Sequence, residues 1–414
     1  MRITQTPRRP ILLGNSQQRR HRPDYTLVVL GMALLVVGLI VIYAISPGLS
    51  VQKNVSENYY ISKQFIAIGL GVITFLITAH MPLAVWRRIQ TPLIVVAGVA
   101  ALAVRLFGER VNGAYRWIQI GGLSFQSVEL VKFALLVWLA SFLVQRLRSN
   151  LLDDKEKTLK PIIIALGVVG FVVAILQSDL GSTAVIVAMM AAMCFIVGLP
   201  LKRVATFGAV ILIGGILAIS STAYRRDRLL TFLHPQRDCQ NVGYQACQAL
   251  ITVGSGGLFG KGLAHDVQAY GYLPEAANDS IFAIVAEKFG FVGVTALLCL
   301  FMVFFTRLKN IMERAPDDFS RLLVVGILAW LSTQTFINVG AMLGLLPLKG
   351  ITLPFISYGG TSVVFVTAAV GLAFNISRYT TYRVQPSTEG GSYDNSSQRR
   401  GDRRTRHSYL SRRT

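Results

Sequence analysis

Long uninterrupted runs of apolar residues dominate this sequence, and they restrict the chain to folds built inside a lipid bilayer. A helix needs about 20 apolar residues to cross the hydrocarbon core. Only 15% of the 414 residues are charged, against about 25% in a soluble domain. The sequence therefore predicts an all-α polytopic membrane protein with about ten transmembrane helices, at residues 26–46, 62–80, 92–107, 127–145, 161–176, 182–200, 204–222, 280–306, 322–346 and 352–376.

Basic residues collect in the loops that follow every second apolar run, and cytoplasmic loops are the ones that carry such an excess. These loops and both polar tails are therefore predicted to be cytoplasmic. The chain divides into an N-terminal tail (1–24), a transmembrane domain (25–377) and a disordered basic C-terminal tail (378–414). The net charge of +21 is concentrated at the ends and in short loops, which argues for membrane topology and against a nucleic-acid partner. The basic loop residues are Arg87, Arg88, Arg146, Arg148, Lys155, Lys157, Lys160, Lys202, Arg203, Arg307, Lys309, Arg314 and Arg321.

The opposite, extracytoplasmic side would receive the 105–126 segment and a large loop, 223–279, between helices 7 and 8. Both carry arginines, among them Arg116 and Arg226. The planar guanidinium group suits phosphate oxygens, so these residues predict an anionic ligand on this side. The alternative is that their side chains extend to lipid headgroups.

Two further features of the large loop leave alternatives open. Cys239 and Cys247 would be able to form a disulfide if the loop faces an oxidising compartment. The glycine-rich segment around Lys261 is not a Walker A motif, because Ser255 stands where that motif needs glycine and Gly262 follows the lysine. ATP hydrolysis is therefore disfavoured, whereas a backbone nest for a lipid-borne phosphate stays open.

The large loop ends in YGYLPEAANDSIFAIVAEKF, where a polar stretch becomes the start of a membrane helix. Asp279 lies at this junction, and Glu287 follows two turns later on roughly the same helical face. An ionisable residue at the mouth of a membrane helix is costly and marks a functional site by default. The sequence has no Ser–His–Asp order, HExxH motif or Cys/His cluster, so acid–base chemistry would fall to carboxylates, with Asp279 as the first candidate.

Three other stretches place polar residues between apolar runs. In GAYRWIQIGGLSFQSVELVK, Glu129 and Lys132 lie three residues apart, so they either form a structural ion pair or face the site. In LQSDLGSTAV, Asp179 either caps the sixth helix or lines a polar chamber. In NVGAMLGLLPLKGITLPFISYGGTSVV, prolines and glycines break the helix, and irregular backbone at membrane depth is buried in protein or lines a cavity. Lys349 and Ser357 would face that cavity.

These motifs together resemble those of the SEDS family, in the same order and spacing and over essentially residues 26–378. The basic tails at both ends are more similar to the cell-division branch of the family than to its elongation branch. The resemblance implies a ten-helix peptidoglycan glycosyltransferase of the cytoplasmic (inner) membrane, acting at the division septum with its active site on the periplasmic face. Its substrate would be lipid II, an undecaprenyl-pyrophosphate-linked disaccharide-pentapeptide. Its partners would be a class B penicillin-binding protein and other divisome membrane proteins.

The family's essential aspartate falls on Asp279, within LPEAANDS, although the flanking His, Thr and Phe of the family pattern are Ala277, Asn278 and Ser280 here. Transfer from an α-linked glycosyl pyrophosphate to a β product requires inversion. Asp279 is predicted to be the base, or the ligand of a divalent cation, Mg²⁺ or Mn²⁺, near the pyrophosphate.

The sequence also predicts substrate-binding groups for this reaction. Arg116, Lys132, Arg226 and Lys349 would hold the pyrophosphates electrostatically, while Glu129 would orient Lys132. Two other classes of function stay open at this point. A transporter that flips lipid II would also use broken helices and intramembrane charges, and a scaffold would mainly recruit division partners.

Overall fold

Helices long and apolar enough to cross a bilayer form most of the structure. The structure is a computed structural model, and it describes residues 18–20, 22–111, 114–120, 123–200, 239–241, 243–263 and 271–381. Nine such helices occur in these ranges, which confirms the predicted all-α membrane fold. The predicted seventh span, 204–222, and Arg226 lie outside the described residues. The helices are α1 (Tyr25–Lys53), α2 (Tyr59–His80), α3 (Leu83–Phe107), α4 (Ser127–Arg148), α5 (Lys160–Gly170, flanked by π-helical turns Lys155–Leu159 and Phe171–Leu176), α6 (Leu180–Val197), the shorter α7 (Tyr244–Ser255), α8 (Ile281–Arg314), α9 (Asp318–Met342) and α10 (Gly360–Ser377).

The centre of the bundle is formed by α4, α9 and α10, which are the most buried of the spanning helices, whereas few residues of α2 and α3 are buried. Helices in a bilayer approach closely where small residues face each other. The contact between α2 and α10 shows this, because a Cβ on Gly371 would lie 2.2 Å from Thr78 Oγ1. The core is therefore a membrane interior in which three helices are shielded from lipid by the others.

The segment between α3 and α4, which the sequence predicted as a loop, contains a three-stranded antiparallel sheet. Its strands are β2 (Glu109–Val111), β3 (Ala114–Ile120) and β4 (Leu123–Gln126), with β3 in the middle. Thr361 Oγ1, at the start of α10, accepts a hydrogen bond from Gln126 N at 3.1 Å and donates to Ser124 O at 2.7 Å. The sheet is thereby fixed to the central helix, and it holds Arg116 on β3.

The last helix begins at Gly360, eight residues later than the predicted boundary of 352. The chain between α9 and α10 has no regular structure over 347–353. Pro354 cannot donate a backbone hydrogen bond, and Phe355 and Gly344 adopt positive φ of 67° and 71°. This irregular segment crosses the region where the site lies.

The two ends of the bundle are joined. Residues Gln18–Arg20 form a strand, β1, that pairs antiparallel with β5, Tyr379–Thr381. Next to it, Asp24 N donates to Ser377 Oγ at 3.0 Å. Direct pairing of the two chain ends fits an even number of membrane crossings, such as the ten that the sequence predicts.

The described part of the large loop contains a disulfide between Cys239 and Cys247, whose Cα atoms are 5.6 Å apart. The second cysteine belongs to α7, which packs against α8. The helix α8 is itself interrupted at Gly290, with φ 63° and ψ −165°. The break separates a short helical segment, Ile281–Phe289, from the long membrane-spanning remainder.

Candidate functional site

Asp279 lies in the last turn before α8, and its backbone is held by other parts of the chain. Asn338 Nδ2 on α9 donates to the carbonyl of Asp279 at 2.7 Å. The carbonyl of Asn278 accepts from Ser357 Oγ at 2.6 Å, and the carbonyl of Ala277 accepts from Tyr358 N at 2.8 Å. Three consecutive carbonyl groups are thus fixed, so the carboxylate projects from an anchored turn.

The side chains of Asp279 and Arg116 meet at Gly350. A Cβ placed on Gly350 would lie 3.1 Å from Arg116 Nη1 and 3.5 Å from Asp279 Oδ2. Gly350 is exposed, whereas both charged side chains and that of Lys349 are half-buried. The structure therefore brings together Arg116 and Asp279, two of the residues that the sequence singled out, and a third, Lys349, directly precedes Gly350 in the chain. We call Arg116, Asp279 and Lys349 the open cluster.

Arg116 is oriented by backbone carbonyls of the turn between the fifth and sixth spans. Its Nε donates to Gln177 O at 3.3 Å and its Nη2 to Ser178 O at 2.6 Å. The buried Gln177 side chain donates in turn to Ala101 O and Ser127 Oγ, both at 3.1 Å. Because these bonds use Nε and Nη2, the Nη1 atom is the one that faces Gly350.

Asp179 acts as the cap of α6, one of the two roles that the sequence left open. It is buried, and its Oδ1 accepts from Ser182 N at 2.9 Å while Oδ2 accepts from Ser182 Oγ at 2.7 Å. Gly181, two residues later, packs against the segment that carries Lys349. A Cβ placed on Gly181 would lie 3.0 Å from Lys349 Cβ. Asp179 therefore fixes the turn that orients Arg116.

Glu129 and Lys132 form an ion pair inside the bundle, at 2.6 Å between Oε1 and Nζ. Lys132 is 1% exposed, donates to Gln334 Oε1 at 2.9 Å and lies 5.0 Å over the ring of Trp330. Gln334 Nε2 donates to Thr352 O at 3.0 Å. We call Glu129, Lys132, Gln334 and Trp330 the sealed cluster. The sealed cluster supports the backbone at Thr352, two residues beyond Gly350. Of the two alternatives for Glu129 and Lys132, its burial agrees with a structural ion pair.

Ser357 is buried and its hydroxyl is used within the protein. It accepts from Leu353 N at 2.7 Å and donates to Asn278 O. In this arrangement Ser357 links the irregular segment to the turn of Asp279.

Sequence reasoning missed Gly350 and Asn338, which shape the site without carrying its charge. Asn338 also donates to Ile351 O at 2.7 Å, so a single amide joins the turn of Asp279 to the segment of Gly350. An amide in the last turns of a mostly apolar membrane helix was the available signal, because a buried polar group must find partners.

The carboxylates of the described residues do not gather into a preformed metal site: no group of three or more His, Cys, Asp or Glu side chains is placed to ligate an ion. Mg²⁺ is often held by one or two carboxylates together with substrate phosphates. Asp279 fits a divalent cation in that way, as one protein ligand beside a phosphorylated substrate.

The family model described as a cell cycle protein of the FtsW/RodA/SpoVE type matches residues 25–382. Stage V sporulation protein E of Bacillus subtilis (strain 168) is 35% identical over 368 residues, covering 88% of this chain and 99% of that protein. A probable peptidoglycan glycosyltransferase FtsW of Thioalkalivibrio sp. (strain K90mix) is 38% identical over 366 residues, covering 87% and 90%.

Solved structures agree with these relatives. One chain of a peptidoglycan synthase complex, described as coordinating polymerization and crosslinking, has a TM-score of 0.67 and 28% identity over 86% of this chain and 98% of its own. The rod shape determining protein RodA of Thermus thermophilus has a TM-score of 0.61 and 28% identity over 86% and 97%. The fold, the order of the motifs and these matches together show that the chain belongs to the FtsW/RodA/SpoVE family, the SEDS family that its sequence motifs resemble.

Proposed function

We propose that this protein is an inverting peptidoglycan glycosyltransferase that polymerises lipid II at the division septum, with Asp279 as its base. The observation that carries the proposal is the meeting of Asp279 and Arg116 at the exposed Gly350. A carboxylate and a guanidinium group beside open space supply the two things that glycosyl transfer from a pyrophosphate needs. Relatives that bear the name of probable peptidoglycan glycosyltransferase support the same reaction.

In the proposed reaction, Asp279 takes the proton of the acceptor sugar's 4-hydroxyl as its oxygen bonds to C1 of the donor sugar. The bond from C1 to the pyrophosphate oxygen breaks, the configuration at C1 inverts, and undecaprenyl pyrophosphate leaves with the electron pair. A positioned general base contributes about 10²–10⁴-fold in rate. Arg116 and Lys349 would stabilise the negative charge that grows on the leaving group.

A divalent cation, Mg²⁺ or Mn²⁺, would add to the same charge stabilisation if it bound between Asp279 and the substrate phosphates. Lys132 and Glu129 lie behind this site. Lys132 binds Gln334, and Gln334 binds the backbone of Thr352. We therefore propose that Lys132 and Glu129 contribute by supporting the segment that carries Lys349.

Three features support an orientation with both termini in the cytoplasm and the open cluster at the periplasmic face. The pairing of strands β1 and β5 supports an arrangement with the two ends on one side. Disulfides such as Cys239–Cys247 persist in oxidising compartments, which supports an extracytoplasmic position of the large loop. The basic loops indicate the cytoplasmic side. The likeness to a chain of a peptidoglycan synthase complex supports a class B penicillin-binding protein as partner.

The test is polymer formation from lipid II by the purified protein in liposomes, with and without the transpeptidase and divalent ions. We expect Asp279→Asn to abolish most of the polymer, while Glu313→Gln, at an exposed carboxylate on the far end of the same helix, leaves it unchanged. Polymerisation by Asp279→Asn at the wild-type rate would overturn the proposal. A parallel translocation assay with labelled lipid II separates polymerisation from flipping.

A further inference from the structure

The break in α8 at Gly290 leaves backbone groups without their helical partners. In a continuous helix, Phe291 N would donate to Glu287 O and Val292 N to Lys288 O. Here Phe291 N donates to Gly257 O at 2.9 Å, and Val292 N donates to Leu258 O at 3.1 Å.

The two carbonyl groups on the other side of the break are satisfied by the same glycine-rich segment. Lys261 N donates to Glu287 O at 2.9 Å, and Gly262 N donates to Lys288 O at 3.0 Å. Residues Gly256–Gly262 therefore replace the hydrogen bonds that the helix loses. They also hold the two parts of α8 at a fixed angle.

This contact demands glycine, because the backbones touch. A Cβ on Gly260 would lie 2.1 Å from Lys288 O, and one on Gly256 would lie 2.0 Å from Ala286 O. Since the N–H groups of Lys261 and Gly262 are used by α8, they are not available to a phosphate. The glycine-rich segment is accounted for by backbone packing, and the phosphate nest that the sequence left open has no support here.

A charged pair closes the contact. Lys261 Nζ lies 3.0 Å from Glu287 Oε1, and Glu287 is fully buried while Lys261 is 34% exposed on its side chain. Lys288 Nζ donates to Leu263 O at 3.1 Å on the same side. A buried carboxylate needs a cation and hydrogen bonds to offset its desolvation, and Lys261 provides the positive charge.

The short segment Ile281–Phe289 is consequently held at both ends by the large loop. At its start, Gln245 Nε2 of α7 lies 3.3 Å from Ser280 Oγ. At its end, the glycine-rich segment binds the break. Asp279 stands two residues before this segment, so a tilt of the segment displaces the carboxylate from Arg116.

We propose that Lys261 and Glu287 are positioning residues for the reaction of the open cluster, because their ion pair locks the glycine-rich segment onto the helix break and so sets the place of Asp279. This inference rests on the proposed glycosyltransferase function. Neither residue touches the open cluster, so their substitution changes the rate of the chemical step more than substrate binding.

The experiment compares full-length variants in liposomes with lipid II. Lys261→Met is expected to lower kcat on the order of 10²-fold, the cost of a displaced catalytic group, with KM within about twofold of wild type. Lys261→Arg keeps the charge and should restore kcat to within a few-fold. Lys309→Met, which removes an exposed lysine of another pair on α8, serves as the matched control and should change nothing.

A readout independent of activity separates this inference from the proposed function. Hydrogen exchange of the Phe291 and Val292 amides, followed by mass spectrometry, is expected to accelerate in Lys261→Met but not in Lys261→Arg. If Asp279→Asn remains active while exchange still accelerates in Lys261→Met, the proposed function fails and the locking of the break survives.

Two results would overturn the inference itself. One is wild-type kcat with unchanged exchange in Lys261→Met. The other is a rise in KM with unchanged kcat and exchange, which would make Lys261 a substrate contact. If Lys261→Met does not fold, Lys261→Met/Glu287→Gln carries the test, since it leaves no unpaired buried charge. A kcat at least about tenfold below wild type supports the inference, and a wild-type kcat overturns it.

Discussion

The open cluster and the sealed cluster both meet the segment from Lys349 to Thr352, and they differ in their access to solvent. Asp279 and Arg116 are half-buried beside the exposed Gly350, whereas Glu129 and Lys132 are 3% and 1% exposed. Both clusters contain a basic side chain and a carboxylate near the predicted outer face of the membrane. Burial is what separates them. A charge sealed between helices must be neutralised by its neighbours, while the charges of the open cluster lie next to the exposed Gly350.

Substitution of Asp279 should distinguish the open cluster from the sealed cluster most clearly. Replacement by Asn keeps the shape of the side chain and removes the base, so polymerisation should fall about 10²–10⁴-fold. The thermal unfolding midpoint should stay close to wild type, because the backbone bonds to Asn338 and Ser357 remain. Rates of polymer formation and unfolding curves on the same preparation check both parts. A large loss of stability in Asp279→Asn would assign the open cluster a structural role.

Lys132 should behave in the opposite way. Lys132→Met leaves Glu129 buried without its cation, which destabilises a protein by about 3–5 kcal/mol. The expected result is a large drop in the unfolding midpoint, with activity lost only as the protein unfolds. The double variant Glu129→Gln/Lys132→Met should recover most of the stability. Normal stability with lost polymerisation in Lys132→Met would move this lysine into the open cluster.

Substitution of Arg116 should lower activity by less than substitution of Asp279. Arg116→Gln removes a cation that faces Gly350, and hydrogen bonds to charged groups contribute about 1.5–3 kcal/mol, so kcat/KM should fall roughly tenfold to a hundredfold. Arg105, which lies 4.6 Å over the ring of Tyr115 on the same sheet, offers a matched control. Equal losses in Arg105→Gln and Arg116→Gln would show that the sheet, and not the cation at Gly350, is what matters.

The smallest effect is expected far from both clusters. Arg87 pairs with Asp317 at 2.5 Å, and both side chains are about a third exposed. Exposed pairs of this kind contribute about 0–1 kcal/mol, so Arg87→Gln should shift the unfolding midpoint slightly and leave polymerisation unchanged. A loss of activity in this variant would mean that the reaction is sensitive to any weakening of the bundle, and the contrast between the clusters would lose its meaning.

Much of the fold could be predicted because a bilayer imposes length and polarity on each helix. Nine of the ten predicted spans correspond to helices in the described residues. The sheet between α3 and α4 was missed, although Asn112–Gly113 and Gly121–Gly122 stand between its strands in the sequence, and such dipeptides indicate hairpins. The strands have three, seven and four residues. Alternation of apolar and polar residues over such short lengths does not identify strands between long apolar helices.

The candidate site could be predicted in its charges but not in its contacts. Asp279 stood out because an ionisable residue at the mouth of a membrane helix is costly, and Arg116 because an arginine on the extracytoplasmic side suggests an anionic ligand. Their convergence at Gly350 depends on packing between segments that are 71 to 234 residues apart in sequence, and no local pattern encodes that. The burial of Lys132 and the pairing of Lys261 with Glu287 depend on tertiary packing in the same way.

The pairing of β1 with β5 has a practical consequence for work in living cells. Because the first and last membrane helices are fastened to each other at one spot, fluorophores attached near the two strands would lie within energy-transfer range inside a single molecule. The transfer efficiency would then report whether β1 and β5 stay paired, without any need to purify the protein or to follow its reaction.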